Sequence, residues 1–333
     1  MNKQPLIVIT GAAGFIGSCM VQYLNSKGYT NLVLVDKFDP SQQQANWRTK
    51  IYSFIIERDD FFTWLNLSES EVSFIIHLGA NTDTTEFDYS IHKKQNLEYS
   101  KSIWNYCAIA GIPLIYASSA ATYGAGEHGF DDDHELVEKL KPLNPYGISK
   151  NEFDKWALMQ QTSPVCWAGL KFFNVYGPNE NHKGRMASVV WHSFNQIQSA
   201  GCMKLFKSYL REFEDGEQLR DFVYVKDLLK IINWMMDSMN NNTWQKTKNG
   251  LYNIGSGKAR SFNDLVKAVF NAVDKKINIE YIPMPEDIKE KYQYYTEGKI
   301  SKLRDAGYTD ELYTLEQGVY DYVKNYLKTD KYF

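Results

Sequence analysis

Leu6-Ile7-Val8-Ile9-Thr10-Gly11-Ala12-Ala13-Gly14-Phe15-Ile16-Gly17 is the stretch that decides the fold. Its first five residues form a largely apolar, β-branched run that reads as a buried strand. From Phe15 to Lys27 the apolar residues recur at helical spacing. Gly11, Gly14 and Gly17 sit where the strand meets the helix. Glycines there permit the tight turn, let a pyrophosphate approach the backbone and let the helix pack on the strand. The helix N-terminus meanwhile offers unpaired N–H groups to the anion. The spacing is G-x-x-G-x-x-G, not the commoner G-x-G-x-x-G, and an isolated match would be only an unliganded turn. Here the flanking strand, the helix and Asp36 at the end of the next strand point to a bound dinucleotide. Asp36 suits the adenosine ribose hydroxyls, whereas Lys37 and Arg58 suit a 2′-phosphate, so these residues leave NAD and NADP both open.

Outward from this turn the rhythm repeats. Leu32 to Val35 closes on Asp36, Ser53 to Ile56 is extended, Val72 to His77 ends at Gly79-Ala80, and Leu114 to Ala117 ends at Ser118-Ser119. Apolar strands separated by helical stretches are strands buried on both faces, hence an α/β doubly wound parallel sheet (Rossmann). From about Gly177 the alternation degrades into a polar loop, a helix over Lys226 to Met239, and short extended pieces around Tyr252 to Ile254 and Ile277 to Tyr281. The expected division is a dinucleotide-binding domain over 1–176 and a smaller C-terminal α/β substrate-binding lobe over 177–333, with the chain crossing back to the first. Asn240-Asn241-Asn242 reads as a turn after a helix.

The 333 residues are about two domains' worth. A net charge of −3 gives no footprint for nucleic acid or a membrane surface. Cys19, Cys107, Cys166 and Cys202 are far apart with no C-x-x-C spacing, which disfavours a zinc site or a disulfide framework and fits a reducing cytoplasm. The apolar stretch after Met1 to Pro5 is too short for a signal sequence or a membrane span. Aromatic residues are 15% of the chain, a content suited to cores and to sugar or nucleotide binding alike.

A second constellation follows. Tyr146 and Lys150 stand four apart at the start of a helix after Pro142-Leu143-Asn144-Pro145, so both face one side. A phenol of pKa about 10 is a poor base at neutral pH, and an adjacent ammonium favours its ionised form. Moving it to about 7 requires roughly 4 kcal/mol of differential stabilisation, reasonable for a lysine plus a cationic nicotinamide in a dry site. Ser119, at the carboxyl end of a central strand, lies where α/β sheets bind ligands and can hydrogen-bond the same substrate oxygen. A lone Tyr-x-x-x-Lys is an ordinary helix pair; joined to the glycine turn and Ser119 it reads as a catalytic set.

The Thr10 to Gly17 turn, Ser119 and the Tyr146/Lys150 pair resemble the extended short-chain dehydrogenase/reductase family acting on nucleotide-linked sugars. Within it, the chain is similar to the ADP-glyceromanno-heptose 6-epimerases almost end to end. The matching segments are Gly79 to Glu86, Tyr116 to Gly124, Phe173 to Pro178, His182 to Ser188 and Arg220 to Val225. The resemblance implies a redox-neutral inversion at C6 of an ADP-heptose for lipopolysaccharide core, with tightly bound NADP or NAD. Inversion needs proton transfer on both faces of the carbon, so one base is geometrically insufficient. By similarity Tyr146 serves one face and Lys183 the other, and Lys150 holds the cofactor ribose and tunes Tyr146. The same resemblance assigns Gly11, Gly14, Phe15, Ile16, Gly17, Asp36, Lys37, Arg58, Leu78, Gly79, Ala80, Asn81, Thr82, Gln95, Lys150 and Val175 to the dinucleotide. To the substrate it assigns Asn174, Arg185, His192, Phe206, Lys207, Ser208, Tyr209, Arg220 and Tyr292. Three positions depart from the pattern. An expected lysine is replaced within Ser41 to Gln44, an expected asparagine is Gln95, and Arg185 stands where a smaller serine would be no surprise. A cytoplasmic homo-oligomer such as a pentamer is also implied, with no nucleic-acid or membrane partner.

Several features are set aside. Asp131-Asp132-Asp133-His134-Glu135 reads as a solvated acidic surface, and no metal is expected. His77 reads as a satisfied core histidine and Trp234-Met235-Met236 as core filling; His92 and His128 give no signal. A dehydratase of the same family would carry acidic residues directly after Ser119, where this chain has Ala120-Ala121. A non-catalytic dinucleotide-binding module would have no reason to hold Ser119, Tyr146, Lys150 and Lys183 together.

Overall fold

A computed structural model of the chain describes residues 4–67, 72–289 and 292–333. The Met1 to Lys3 part of the N-terminal reading lies outside the described residues. Strands β1 (Leu6–Thr10), β2 (Leu32–Asp36), β3 (Phe54–Glu57), β4 (Val72–His77), β5 (Leu114–Ser119) and β6 (Trp167–Phe172) come first. They alternate with helices α1 (Phe15–Ser26), α2 (Pro40–Trp47), α3 (Phe61–Leu67), α4 (Tyr89–His92), α5 (Tyr99–Ala110) and α6 (Pro145–Met159). Then follow β7 (Asn174–Tyr176), α7 (Val189–Ala200), β8 (Met203–Phe206), β9 (Leu219–Tyr224), α8 (Val225–Asn240), β10 (Gly250–Ile254), β11 (Ala259–Ser261), α9 (Phe262–Ala272) and β12 (Ile279–Ile282).

The main sheet has seven strands in the order β10-β6-β5-β4-β1-β2-β3, and every neighbouring pair is parallel. Successive side chains of a strand point to opposite faces. Accordingly Ile7, Ile9, Leu32 and Leu34 enter one core, while Leu6, Val8, Val33 and Val35 enter the other. That two-faced burial is why these strands read as unbroken apolar runs. The chain leaves β1 toward β2 on one side and reaches β4 on the other. The strand order therefore switches direction at β1, and a crevice opens beyond the carboxyl ends of β1 and β4.

The sequence reading groups Tyr252 to Ile254 with the C-terminal lobe; the structure places it in the main sheet. All five residues of β10 are buried, and they pair in parallel with β6 from Gly250↔Ala168 to Ile254↔Phe172. Helix α8 likewise packs against α1. The acidic stretch also needs correction. Asp133 and Glu135 are exposed, but Asp132 is only 2% exposed, and its Oδ2 accepts the Asn253 N–H at 2.7 Å. His134 Nε2 accepts the Leu251 N–H at 3.0 Å. These side chains satisfy an edge strand's outward N–H groups, which burial would otherwise leave unpaired. The remaining strands form a three-stranded sheet (β11-β9-β7) and a two-stranded one (β12-β8). Met235 and Met236 fill the core as expected, and Asn242 turns the chain at φ 57° after α8.

Candidate active site

The glycine turn forms one wall of the crevice. Gly11 has φ 71°, and a side chain there would meet the Gly79 backbone at 2.7 Å. At Gly17 a Cβ would strike the Gly11 carbonyl. Both positions therefore admit only glycine, and the β1 and β4 loops close to backbone contact. Helix α1 begins at Phe15 with no side chain capping it and no acidic residue in its first turn, which leaves its N-terminal amides open to an anion. The groove before it measures about 380 Å³ and is lined by Gly11, Gly14, Phe15, Ile16, Gly17, Asp36, Leu78 to Asp83, His182 and Lys183, among others. Gln43 also lines it, and its side-chain Oε1 is buried without a partner. The uncapped helix facing this groove fits a phosphate-bearing dinucleotide.

A smaller recess continues the groove past Asp36, Arg58, Asn81, Gln95 and Tyr99. Asp36 accepts the Ala13 N–H at 2.8 Å and the Lys37 N–H at 2.7 Å. Burial raises its carboxyl, and these N–H groups oppose the rise. Arg58 pairs with Asp59 at 2.9 Å, and Lys37 is exposed. Asn96, one residue beyond Gln95, turns inward. Its Oδ1 accepts the Asn81 N–H at 2.7 Å, while its Nδ2 donates to Asn81 O at 3.0 Å and to Ser149 Oγ at 3.0 Å. That one side chain fixes the β4 loop against α6.

Helix α6 starts where its cap dictates: Asn144 accepts the Gly147 N–H at 2.8 Å, and Pro145 occupies the first turn. Tyr146 and Lys150 then project into a chamber of about 210 Å³ shared with Ser119, Phe172, Phe173, Val175 and Lys183. Lys150 Nζ donates to Ala117 O at 2.7 Å, and burial pulls its ammonium down to about 8. Burial also raises the Tyr146 phenol, and the group that lowers it is the Ser119 hydroxyl through a hydrogen bond. Desolvation is the largest influence on the phenol here; the lowering in the sequence reading rests on the Lys150 ammonium together with a cationic nicotinamide. Lys183, half-buried, lies 5.6 Å from the Phe15 ring centre; desolvation lowers its amine while Glu180 opposes.

Beside the chamber a wider cavity of about 650 Å³ is lined by Thr84, Thr85, Phe87, Leu143, Asn144, Arg185, Arg220, Tyr292 and Gln293, with Ala121 and Gly124. The Arg220 guanidinium lies 5.2 Å from the Tyr292 ring centre and 5.6 Å from that of Phe262. It donates to Leu219 O at 2.9 Å and to Gln293 O, so it is fixed before any anion arrives. The chemistry on offer is a proton donor or acceptor at Tyr146 and another at Lys183, between a dinucleotide groove and a cation-bearing cavity.

The model of the NAD dependent epimerase/dehydratase family matches residues 7–255. The chain belongs to the NAD dependent epimerase/dehydratase family. This family member is 49% identical over 338 residues to a Fusobacterium nucleatum protein named ADP-L-glycero-D-manno-heptose-6-epimerase, covering 98% of this chain and 100% of the relative. A Nitratidesulfovibrio vulgaris protein of the same name is 44% identical, covering 97% of this chain and 98% of the relative. The crystal structure of the Helicobacter pylori ADP-L-glycero-D-manno-heptose-6-epimerase superposes with a TM-score of 0.79 at 28% identity over 98% of each chain.

For this epimerase/dehydratase chain the structure brings most of the expected site residues together, and it leaves some apart. Lys37 is absent from the lining of the groove, its recess and the chamber. Arg185, Arg220 and Tyr292 meet in the wide cavity, but Asn174, His192 and Phe206 to Tyr209 are not among its lining. His192 instead approaches Arg185 O at 3.3 Å, and Ser208 N–H donates to Asp215 at 2.8 Å. Tyr99, Gln43, His182, Leu143 and Gln293 line the groove and cavities without having been expected. Of these, His182 and Gln43 lay in segments that the resemblance had marked, Gln43 in one that departs from the pattern. His77 is the neutral core histidine expected, bonded to Thr10 Oγ1 at 2.6 Å and Ser100 Oγ at 2.9 Å and lowered to about 3 by burial. Among the described residues no helix is long and apolar enough to cross a membrane.

Proposed function

We propose that this epimerase inverts C6 of ADP-D-glycero-β-D-manno-heptose, giving the L-glycero epimer for lipopolysaccharide core. The observation that carries this is the meeting of Ser119, Tyr146, Lys150 and Lys183 in one chamber between the dinucleotide groove and the arginine-bearing cavity. The two relatives' names support the same substrate. NAD(P), held along Gly11 to Gly17 and Leu78 to Thr82, supplies reversible hydride acceptance when bound. Tyr146 takes the C6 hydroxyl proton on one face of the sugar, Ser119 holds that oxygen by hydrogen bond, and Lys183 handles the proton on the opposite face. Between the two transfers the 6-keto sugar turns over in the chamber. Arg220 takes the pyrophosphate bidentately, with Arg185 as a second cation at the cavity mouth. Lys150 holds the nicotinamide ribose. The Asp36 and Arg58 recess supports NADP or NAD at the other ribose, bound tightly enough to co-purify.

The substrate lobe of this reading is residues 177–333, less β10 and α8, which serve the first domain. A cytoplasmic homo-oligomer completes the proposal, checked by sedimentation. The deciding experiment incubates the purified protein with ADP-D-glycero-β-D-manno-heptose without added reductant. C6 configuration is followed by NMR, and the nucleotide released on denaturation is identified. Conversion without net cofactor consumption is expected; no conversion despite bound dinucleotide would overturn the substrate assignment and leave the fold and groove intact.

A further inference from the structure

Asn46 occupies a position that no motif marks. It lies on α2, three residues beyond Gln43 and so on the same helix face, where Gln43 lines the dinucleotide groove. Its side chain is 1% exposed. From there its Nδ2 lies within hydrogen-bond distance of three groups on two different segments: Ala13 O in the glycine turn at 2.9 Å, Asn179 O at 3.2 Å and His182 Nδ1 at 3.2 Å. Two backbone carbonyls can only accept, so the amide orientation is fixed by chemistry. At the His182 contact the donor and acceptor roles follow the ring's tautomer. Burial and the neighbouring Lys183 ammonium hold that ring neutral, down to about 4.

The segment so gripped is the one that carries Lys183. Its base is tied down independently: Glu180 accepts from Ser188 N–H at 2.6 Å and Ser188 Oγ at 2.7 Å, and Asn179 Nδ2 donates to Ser18 Oγ at 3.0 Å. Those bonds anchor the loop to itself and to α1. Among the described residues, only Asn46 joins the turn's Ala13 carbonyl to the His182 ring next to Lys183 through one side chain. We infer that Asn46 is a positioning residue that registers the Lys183 loop against the dinucleotide's glycine turn, so that the second base stands at a fixed distance from the bound cofactor. This rests on the proposed two-base inversion. Displacing a reacting group by about 1 Å costs on the order of a hundredfold in rate, which sets the expected effect.

The test is a double-mutant cycle on the holoenzyme with ADP-D-glycero-β-D-manno-heptose, using Asn46→Leu, Lys183→Met and their combination. Asn46→Leu is expected to lower kcat by about ten- to a hundredfold while leaving KM within about threefold. Reduced dinucleotide titrated by fluorescence into stripped protein should bind Asn46→Leu within about threefold of the unaltered chain, a readout independent of turnover. The combined variant should be no more than about twofold slower than Lys183→Met, because a residue acting through Lys183 has nothing left to position. Effects that multiply would overturn the inference. So would a loss of dinucleotide affinity as large as the loss of kcat, which would place the action of Asn46 at the glycine turn alone. If Asn46→Leu does not fold, Asn46→Ala is measured in the same cycle with the same expectations. An unaltered enzyme that fails to invert, or Lys183→Met at full rate, strikes the proposed function instead.

Discussion

Lys171→Met probes how the floor of the chamber is held. Lys171 on β6 and Asp154 on α6 both have fully buried side chains, with Nζ 2.9 Å from Oδ2. Asp154 also accepts the Ser118 hydroxyl at 2.6 Å and the Tyr116 hydroxyl at 3.1 Å, and Lys171 donates to Thr122 Oγ1 at 2.7 Å. At 2.9 Å the gross attraction is about 6 kcal/mol for an effective dielectric near 20. Desolvation of two ions offsets most of it, so the intact pair adds little net stability. Removing one partner is a different matter, because it strands a buried charge at a cost of about 3–5 kcal/mol. At roughly 2–4 °C per kcal/mol the melting temperature should fall by on the order of 10 °C. Since Ser118 adjoins Ser119, and Asp154 lies one turn beyond Lys150 on α6, the cluster of Ser119, Tyr146 and Lys150 should loosen before the whole chain unfolds. Thermal and urea unfolding would be measured for Lys171→Met and for Lys171→Met combined with Asp154→Asn, which removes both charges but keeps an acceptor oxygen. The double variant should return to within about 2 kcal/mol of the unaltered chain. A single variant melting within about 2 °C, or a double variant worse than the single, would refute the reasoning.

Tyr146→Phe should reduce inversion by about 10²–10⁴ while the dinucleotide still co-purifies, since the phenol acts on the substrate's proton; unchanged turnover by NMR would remove Tyr146 from the chemistry. His77, lowered to about 3 by burial, protonates in the unfolded chain but not in the folded one as pH falls below about 6.5. Its contribution to stability is therefore present above that pH and lost toward 3, amounting to about 3 kcal/mol between pH 7 and 4.5. Denaturant titrations at both pH values should show that loss, and a smaller one in His77→Gln. Asp132→Ala strips the acceptor from the Asn253 N–H and should destabilise by about 1–3 kcal/mol, with hydrogen exchange at Asn253 accelerated ahead of exchange in β1; equal protection in both strands would show that β10 does not depend on this side chain.

The sequence by itself determined the strands and turns whose causes are local. The β1 to Gly17 junction is legible because β-branched packing and glycine's permissive backbone act over a dozen residues. The Tyr146/Lys150 pair is legible because four residues make one helical turn and Asn144-Pro145 announces where it starts. Lys183 entered only by resemblance, since nothing local separates it from a solvated loop lysine. The tertiary structure alone decided three things. It put β10 in the main sheet, because a five-residue apolar strand carries no mark of which sheet it completes. It made Asp132 and His134 acceptors for that strand, because hydrogen-bond demand from residues about 120 positions away cannot be seen in an acidic stretch. And it buried the Tyr146 phenol, which raises it, because desolvation is a property of everything packed around a side chain. Asn46 follows the same rule: the three groups around its side-chain nitrogen come together only on folding.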